Sequence, residues 1–144
     1  MNRNEFEALR NLHDKVIRGD IQFSRPNQTR PLSVAEVAIE NASGVDLRLS
    51  IRFNPEVGSK TFNVFIRGVG PICRLDVDGP AHGAAGRQHK HSLQTERCPE
   101  RNLPDGVQPW PELAGRSVRE CFTEFCRISN VSHIGNIFPP DERT

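Results

Sequence analysis

Three histidines, His82, His89 and His91, lie within ten residues near the middle of the chain, just after two aspartates, Asp76 and Asp78. Histidine titrates near neutral pH, so it can take up and release protons, and its neutral ring also binds transition metals. Basic side chains that suit a phosphate group stand beside them: Arg74, Arg87 and Lys90. The stretch of residues 72–93 is therefore the candidate functional site.

One chemistry that these residues could perform is acid–base cleavage of RNA without a metal. Cleavage through the 2′-hydroxyl needs a base near that oxygen, an acid near the leaving oxygen, and a cation beside the phosphate. His89 and His91 are two residues apart, so on a strand they would share a face and could supply the base and the acid. His82 would support them, and Asp76 or Asp78 would orient an imidazole ring.

Two other interpretations of the histidine stretch stay open. His82, His89 and His91, or two of them with Asp76 or Cys98, could bind zinc or another divalent transition metal, although no paired Cys-x-x-Cys accompanies them. The segment of residues 78–83 also has the composition of an ordinary turn, in which a histidine only satisfies backbone groups. Acid–base cleavage would need no cofactor, so a metal is expected only if these histidines form a metal site.

The elements that position these residues are predicted strands. In residues 46–53 apolar and polar side chains alternate, and residues 61–67 alternate again after a turn, which is typical of strands with one buried face. Residues 72–76 form the next predicted strand, and residues 88–94 form a fourth that carries the histidines. Because the connections are short, we expect an antiparallel meander.

Helices are predicted near both ends of the chain. Residues 4–18 carry apolar side chains at three- and four-residue spacing, and Gly19 would end that helix. Ser117 and Glu120 form a capping box at the start of a second amphipathic helix. We therefore expect an α+β domain over residues 1–138, in which an antiparallel meander sheet of about four to five strands has N- and C-terminal helices packed on one face, followed by a disordered tail over 139–144. Residues 95–111 are predicted to be a loop anchored by Trp110.

Strand alternation assigns several arginines to the outer face of this sheet: Arg48, Arg52, Arg67 and Arg74. The chain has 16 arginines and 3 lysines, and arginine suits phosphate and carboxylate recognition better than lysine does. An open basic face is typical of proteins that bind a nucleic-acid backbone. A solvated face that only keeps the protein soluble is the alternative, and a GC-rich genome would produce the same arginine excess.

Composition restricts the class of protein. The formal net charge is +1, so charge alone does not indicate a nucleic-acid partner. Uninterrupted apolar runs are much shorter than the roughly 20 residues of a membrane span, and the first residues have no apolar signal core. Four scattered cysteines do not indicate a disulfide framework. We expect a cytoplasmic protein without a membrane partner.

The order strand, Arg74-Leu-Asp76-Val-Asp78-Gly-Pro-Ala-His82, glycine-rich gap, then His89-Lys-His91 resembles small bacterial proteins of toxin–antitoxin loci, the TumE-like toxins and related uncharacterised families. Their pattern is Arg-x-Asp, His and His-x-His after an antiparallel meander, with a C-terminal helix. The resemblance covers roughly residues 45–128, and its specific part is residues 74–91. It implies an RNA-targeting growth inhibitor that a partner antitoxin neutralises, with functional residues Arg74, Asp76, His82, His89 and His91.

The leading hypothesis from the sequence is thus a toxin-like ribonuclease with His89, His91, His82 and Asp76 as catalytic residues. RNA and a cognate antitoxin are its expected partners, and a homodimer is an open alternative. Six basic residues would bind the substrate: Arg74, Arg87, Lys90, Arg48, Arg52 and Arg67. The runner-up is a non-catalytic nucleic-acid- or protein-binding module, antitoxin-side or related to phage defence, that uses the arginine-rich sheet face.

Overall fold

The computed structural model describes residues 3–79, 89–92 and 108–140. Its main sheet has six antiparallel strands in chain order, because each strand follows its neighbour through a turn or loop. This confirms the predicted α+β class and the antiparallel meander. The strands are β3 (Ser33–Ile39), β4 (Leu47–Asn54), β5 (Ser59–Ile66), β6 (Gly70–Val77), β7 (His89–Ser92) and β8 (Gln108–Pro109).

Strict alternation in β4 and β5 gives the sheet one buried face and one polar face. Leu47, Leu49, Ile51 and Phe53 are almost completely buried, whereas the residues between them are half-buried or exposed. Register then carries the pattern across the sheet, since residues directly opposite one another project from the same face.

Helix α2 (Val118–Ser129) covers the buried face. Its start has the capping box predicted from Ser117 and Glu120, with both reciprocal hydrogen bonds present, and its end has Asn130 in the left-handed conformation at φ 57°. The Phe125 ring packs against Phe62 of β5 with the ring centroids 5.7 Å apart. Helix α2 thereby joins the same hydrophobic core as the sheet.

The predicted helix over residues 4–18 is only half right. Helix α1 (Arg3–Asn11) buries Phe6 and Leu9, but the chain then forms strand β1 (Lys15–Arg18). Strand β1 pairs in parallel with β9 (Val131–Ile134), near the other end of the chain. The β-branched pair Val16–Ile17 suits a strand, and a partner so distant in sequence overrides the local helical spacing.

A second short parallel pair continues the first. Strand β2 (Ile21–Gln22) pairs with β10 (Ile137–Phe138), beyond matching bends at Gly19 and Gly135. The Gly19 amide donates to the Ile134 carbonyl over 2.8 Å, so the two bends lie against each other. None of β1, β9 and β10 was expected from the sequence.

The loop predicted over residues 95–111 contains regular structure where it is described. Besides β8, residues Pro111–Leu113 form a 3-10 helix, and Trp110 packs against the core as predicted. Residues 95–107 lie outside the described residues. The boundary between a domain of residues 1–138 and a tail of 139–144 stays a prediction, because residues 141–144 are also outside the described part. No described helix has the length and apolar character needed to span a bilayer.

Replacing Gly135 by alanine should destabilise the fold more than the same change at Gly58. Both glycines have positive φ, 139° and 79°, which costs alanine about 1 kcal/mol. At Gly135 the new Cβ would also lie 2.5 Å from the Gly19 carbonyl oxygen, whereas at Gly58 it meets nothing within 4 Å. Urea unfolding should show a loss of about 2–4 kcal/mol for Gly135→Ala. Equal losses for the two variants would contradict the close contact of the bends.

The stability of the protein should depend on pH through Lys15, whose buried ammonium donates to the Arg10 carbonyl. Burial lowers the pKa of Lys15 from 10.5 to about 8. Between those values the unfolded chain binds more protons than the folded chain does, so the cost of the buried charge disappears and stability rises with pH. The free energy of unfolding of the wild type relative to Lys15→Met should rise by up to about 3 kcal/mol from pH 7 to 10.5.

The comparison with Lys15→Met is needed because another group titrates in the opposite sense. Burial raises the pKa of the Cys126 thiol to about 12, so above its usual range the unfolded chain loses that proton first and stability falls. This contribution is common to both proteins and cancels in the difference. Parallel pH curves for wild type and Lys15→Met in chemical denaturation would show that Lys15 is not desolvated.

Candidate functional site

The outer face of the main sheet carries two cross-strand rows of polar residues. One row runs Arg52, Thr61, Asp76 and position 89, and the other runs Ser50, Asn63, Arg74 and position 91. Adjacent strands lie about 4.8 Å apart, so each row spans roughly 14 Å. Register thus places the positions of His89 and His91 beside Asp76 and Arg74, at one end of a polar surface four strands wide.

The Asp76 carboxylate is held at both oxygens. Thr61 Oγ1 donates to Oδ1 over 2.8 Å, and Arg74 Nε donates to Oδ2 over 3.1 Å. The side chains of Arg74 and Asp76 are only 17% and 15% exposed, so this ion pair is less screened by solvent than a surface pair would be. A carboxylate fixed in this way suits the predicted role of orienting a group on the neighbouring strand. Thr61 was not identified from the sequence. Its outward position on the strand next to that of Asp76 could have indicated this contact.

Asp78 lies in a different setting from Asp76. It takes a left-handed conformation at φ 56° just after β6, and its carboxylate accepts from the Gly115 amide over 3.0 Å. The Lys60 ammonium lies 3.4 Å from Asp78 Oδ2 and also donates to the Gly58 carbonyl. Asp78 therefore ties the end of the sheet to the segment that leads into α2, and of the two aspartates Asp76 alone sits opposite position 89.

The predicted basic residues differ in whether an acidic side chain lies close enough to neutralise their charge. Arg48 Nε lies 3.1 Å from Asp46 Oδ1, and its Nη1 lies 3.9 Å from Glu36 Oε2. Arg52 is exposed on the outer face of β4 and makes no hydrogen bond or ion pair within the part of the chain that the structure describes. Arg67 is exposed in the turn one residue beyond β5. Arg52 and Arg67 are therefore the predicted arginines that lack an ion pair within the described residues.

The remaining predicted residues are placed only in part. Position 90 lies opposite the core residue Leu75, on the other face of β7 from positions 89 and 91. His82, Arg87 and Cys98 lie outside the described residues. Among the side chains that are described, no three of the His, Cys, Asp and Glu type converge as a metal site would require. Each ligand set of the metal interpretation includes at least two of the three histidines, whose side chains lie outside the described ones, so that interpretation stays a prediction.

The outer face also has one unsatisfied polar atom and one cavity among the described residues. Asn63 Oδ1 is buried and has no hydrogen-bond partner, which costs about 1–3 kcal/mol unless something else donates to it. A cavity of about 340 Å³ opens beside Arg52, between Pro26 and the side chains of β3 and β4. That volume is within the range of small-ligand pockets. Its lining includes Glu36 and Ser50, so it presents both an acceptor and donors.

Comparison of the chain with protein-family models, with curated proteins and with solved structures finds no match in any of the three. The resemblance to TumE-like toxins therefore stays a prediction.

Replacing Asp78 by asparagine should destabilise the protein, because the buried Lys60 ammonium would lose its counter-ion. Asparagine tolerates the left-handed conformation, so the backbone of the turn is preserved and the change isolates the charge. We expect a loss of about 1–3 kcal/mol in urea unfolding. Glu40→Gln is the matched control, since it breaks an exposed pair with Arg18 and should cost at most about 1 kcal/mol. A neutral Asp78→Asn substitution would contradict the structural role of this contact.

Proposed function

We propose that the outer face of the meander binds RNA and cleaves it by metal-independent acid–base catalysis, with His89 and His91 as the catalytic residues. One observation carries the proposal. The β6–β7 register aligns position 89 with Asp76 and position 91 with Arg74. Histidine, a residue whose ring can exchange protons near neutral pH, thus occupies the position next to a fixed carboxylate and the position next to its guanidinium partner.

In the proposed reaction the 2′-oxygen of the RNA attacks the adjacent phosphorus as one histidine removes its proton. The bond from phosphorus to the 5′-oxygen breaks, and the other histidine gives that leaving oxygen a proton, which leaves a cyclic phosphate on the upstream product. Asp76, held by Thr61 and Arg74, would fix the ring orientation of His89. Arg74, opposite position 91, would stabilise the negative charge that develops on the phosphate.

Substrate binding is assigned to the other end of the same rows. Arg52 has no acidic partner among the described residues, and the cavity beside it offers donors and an acceptor of the kind that the edge of a nucleobase needs. An RNA strand that crosses the sheet along these rows would extend from the cavity beside Arg52 to positions 89 and 91, roughly 14 Å away.

The physiological setting that we propose is a toxin–antitoxin pair, in which a cognate antitoxin blocks this surface. Its support is the resemblance of residues 74–91 to TumE-like toxins. Expression of the chain alone should then inhibit bacterial growth, and co-expression of the neighbouring open reading frame should relieve the inhibition. His82, which belongs to the same resemblance, keeps its proposed supporting role, and Arg87 keeps the phosphate-binding role proposed from its position beside the histidines.

Loss of either histidine should abolish cleavage without abolishing binding. His89→Ala and His91→Ala should each lower single-turnover cleavage of a labelled single-stranded RNA by about 10²–10⁴-fold, because each removes an acid or a base. Arg52→Gln should instead weaken RNA binding. It should also reduce the slope of log K against log salt concentration by about one, because one phosphate contact is lost. Arg127→Gln, which breaks an ion pair on the exposed side of α2, is the matched control and should change neither. Intact RNA with the wild type would refute the catalytic proposal.

The same variants separate the catalytic proposal from a binding module. The exposed, unpaired Arg52 and the cavity beside it would serve a non-catalytic module equally well, and such a module predicts binding that falls in Arg48→Gln and Arg52→Gln but survives both histidine changes. Cleavage that disappears with a chelator and returns with zinc would favour the metal interpretation. Cleavage that persists in the chelator and is lost in His89→Ala and His91→Ala would favour the acid–base mechanism.

A further inference from the structure

A second cavity lies away from the outer face, between helix α2 and the bend that joins β9 to β10. Its volume is about 330 Å³, within the range of small-molecule sites. The helix contributes a stripe of residues spaced so that they share one side of α2, and the bend contributes the opposite wall. The lining residues on which the inference rests are Arg119, Phe122, Cys126, His133, Asn136 and Ile137.

The cavity has a positive charge without an acidic counterpart in its lining. Arg119 is exposed and makes no side-chain ion pair or hydrogen bond among the described residues. Its neighbours on the helix are already compensated, since Glu120 pairs with Arg116 at 3.0 Å and Glu124 pairs with Arg127. Arg119 is thus the arginine of α2 whose guanidinium remains available to a carboxylate or phosphate.

Beneath this charge part of the cavity lining is apolar. Phe122 and Ile137 are each 4% exposed, and burial raises the pKa of the Cys126 thiol to about 12, so this sulfur is a neutral packing group rather than a nucleophile. The Phe122 ring meets the His133 ring edge-on, with centroids 5.4 Å apart. A small hydrated anion such as phosphate would gain nothing from such a floor, whereas an anion with an apolar body would bury it.

The polar wall opposite α2 is rigid. His133 Nε2 lies 2.8 Å from the Gly19 carbonyl oxygen, which can only accept, so Nε2 carries the hydrogen and the ring orientation is fixed. The Asn136 amide donates to Asp20 Oδ1 over 2.9 Å, which anchors the bend and leaves the Asn136 side chain without a partner among the described residues. The His133 ring and the backbone of the bend therefore need little further ordering when a small ligand binds.

We propose that this crevice is a binding site for a small organic monocarboxylate, in which Arg119 contacts the carboxylate and the Phe122–Cys126–Ile137 floor holds an apolar body. The site is independent of the RNA-binding proposal. It shares no residue with the outer face, and its occupant would act as a regulatory or cargo ligand rather than as a substrate of His89 and His91.

Benzoate and its neutral analogue benzamide test the site by NMR titration of the full ¹⁵N-labelled chain. Benzoate should produce saturable shifts at the amides of Thr123, Gly135 and Asn136, and benzamide should bind at least about tenfold more weakly. Arg119→Gln keeps a helix-forming residue at an exposed position, so it should fold. It should raise the benzoate Kd by about tenfold or more and bring it to that of benzamide.

Controls distinguish this site from a general attraction of anions. Arg127→Gln, which leaves the cavity intact, and Arg52→Gln, on the outer face, should both leave the benzoate Kd unchanged. The proposal is overturned if benzoate gives no saturable shift at millimolar concentration, or if Arg119→Gln binds it as well as the wild type does. Inorganic phosphate that binds at the same amides as tightly as benzoate would overturn the role of the apolar floor.

Discussion

The packing of Phe125 of α2 against Phe62 of β5 decides which face of the meander is buried and which is left open to solvent. Side chains alternate strictly along a strand, so once one face is buried under the helix the other must point away from the core. Every outward residue discussed above, from Arg52 to Asp76, owes its position to this one choice of covered face. A slip of one residue in the register of β5 would bury Thr61 and Asn63 and expose Phe62 and Val64, at a cost of several apolar side chains.

Local patterns predicted those parts of the fold whose stabilising contacts are close in sequence. The alternation in β4 and β5 and the capping box of α2 each lie within a few residues of their own signal, and all were found. The strand β1 was read as helix because Val16 continues the apolar spacing of α1, while Lys15, a buried residue in the structure, reads as polar. Strands β9 and β10 have four and two residues, at or below the shortest run from which alternation predicts a strand, and their partners lie more than a hundred residues earlier.

In the candidate site, too, only the features with a local sequence signal were predicted. Alternation was enough to assign Arg48 and Arg52 to the outer face, and it also implied that His89 and His91 share a face. The sequence alone did not predict which side chains contact one another. That Asp76 is held by Thr61 while Asp78 is drawn to Lys60 and Gly115 depends on register and on a left-handed residue after β6. The crevice of Arg119 and His133 arises only because the far ends of the chain are brought together.

The parallel pairing of the two ends has a consequence for how the protein folds. Asp20 and Asn136 are hydrogen-bonded across 116 residues of sequence, and the β1–β9 pair is of comparable span. Contacts of this separation are slow to form, because most of the chain must be ordered before their loop-closure entropy is recovered. During synthesis β1 would wait, without its β9 partner, until the segment after α2 had emerged. The meander can assemble from neighbouring hairpins in the meantime, so the outer face would take shape before the crevice does.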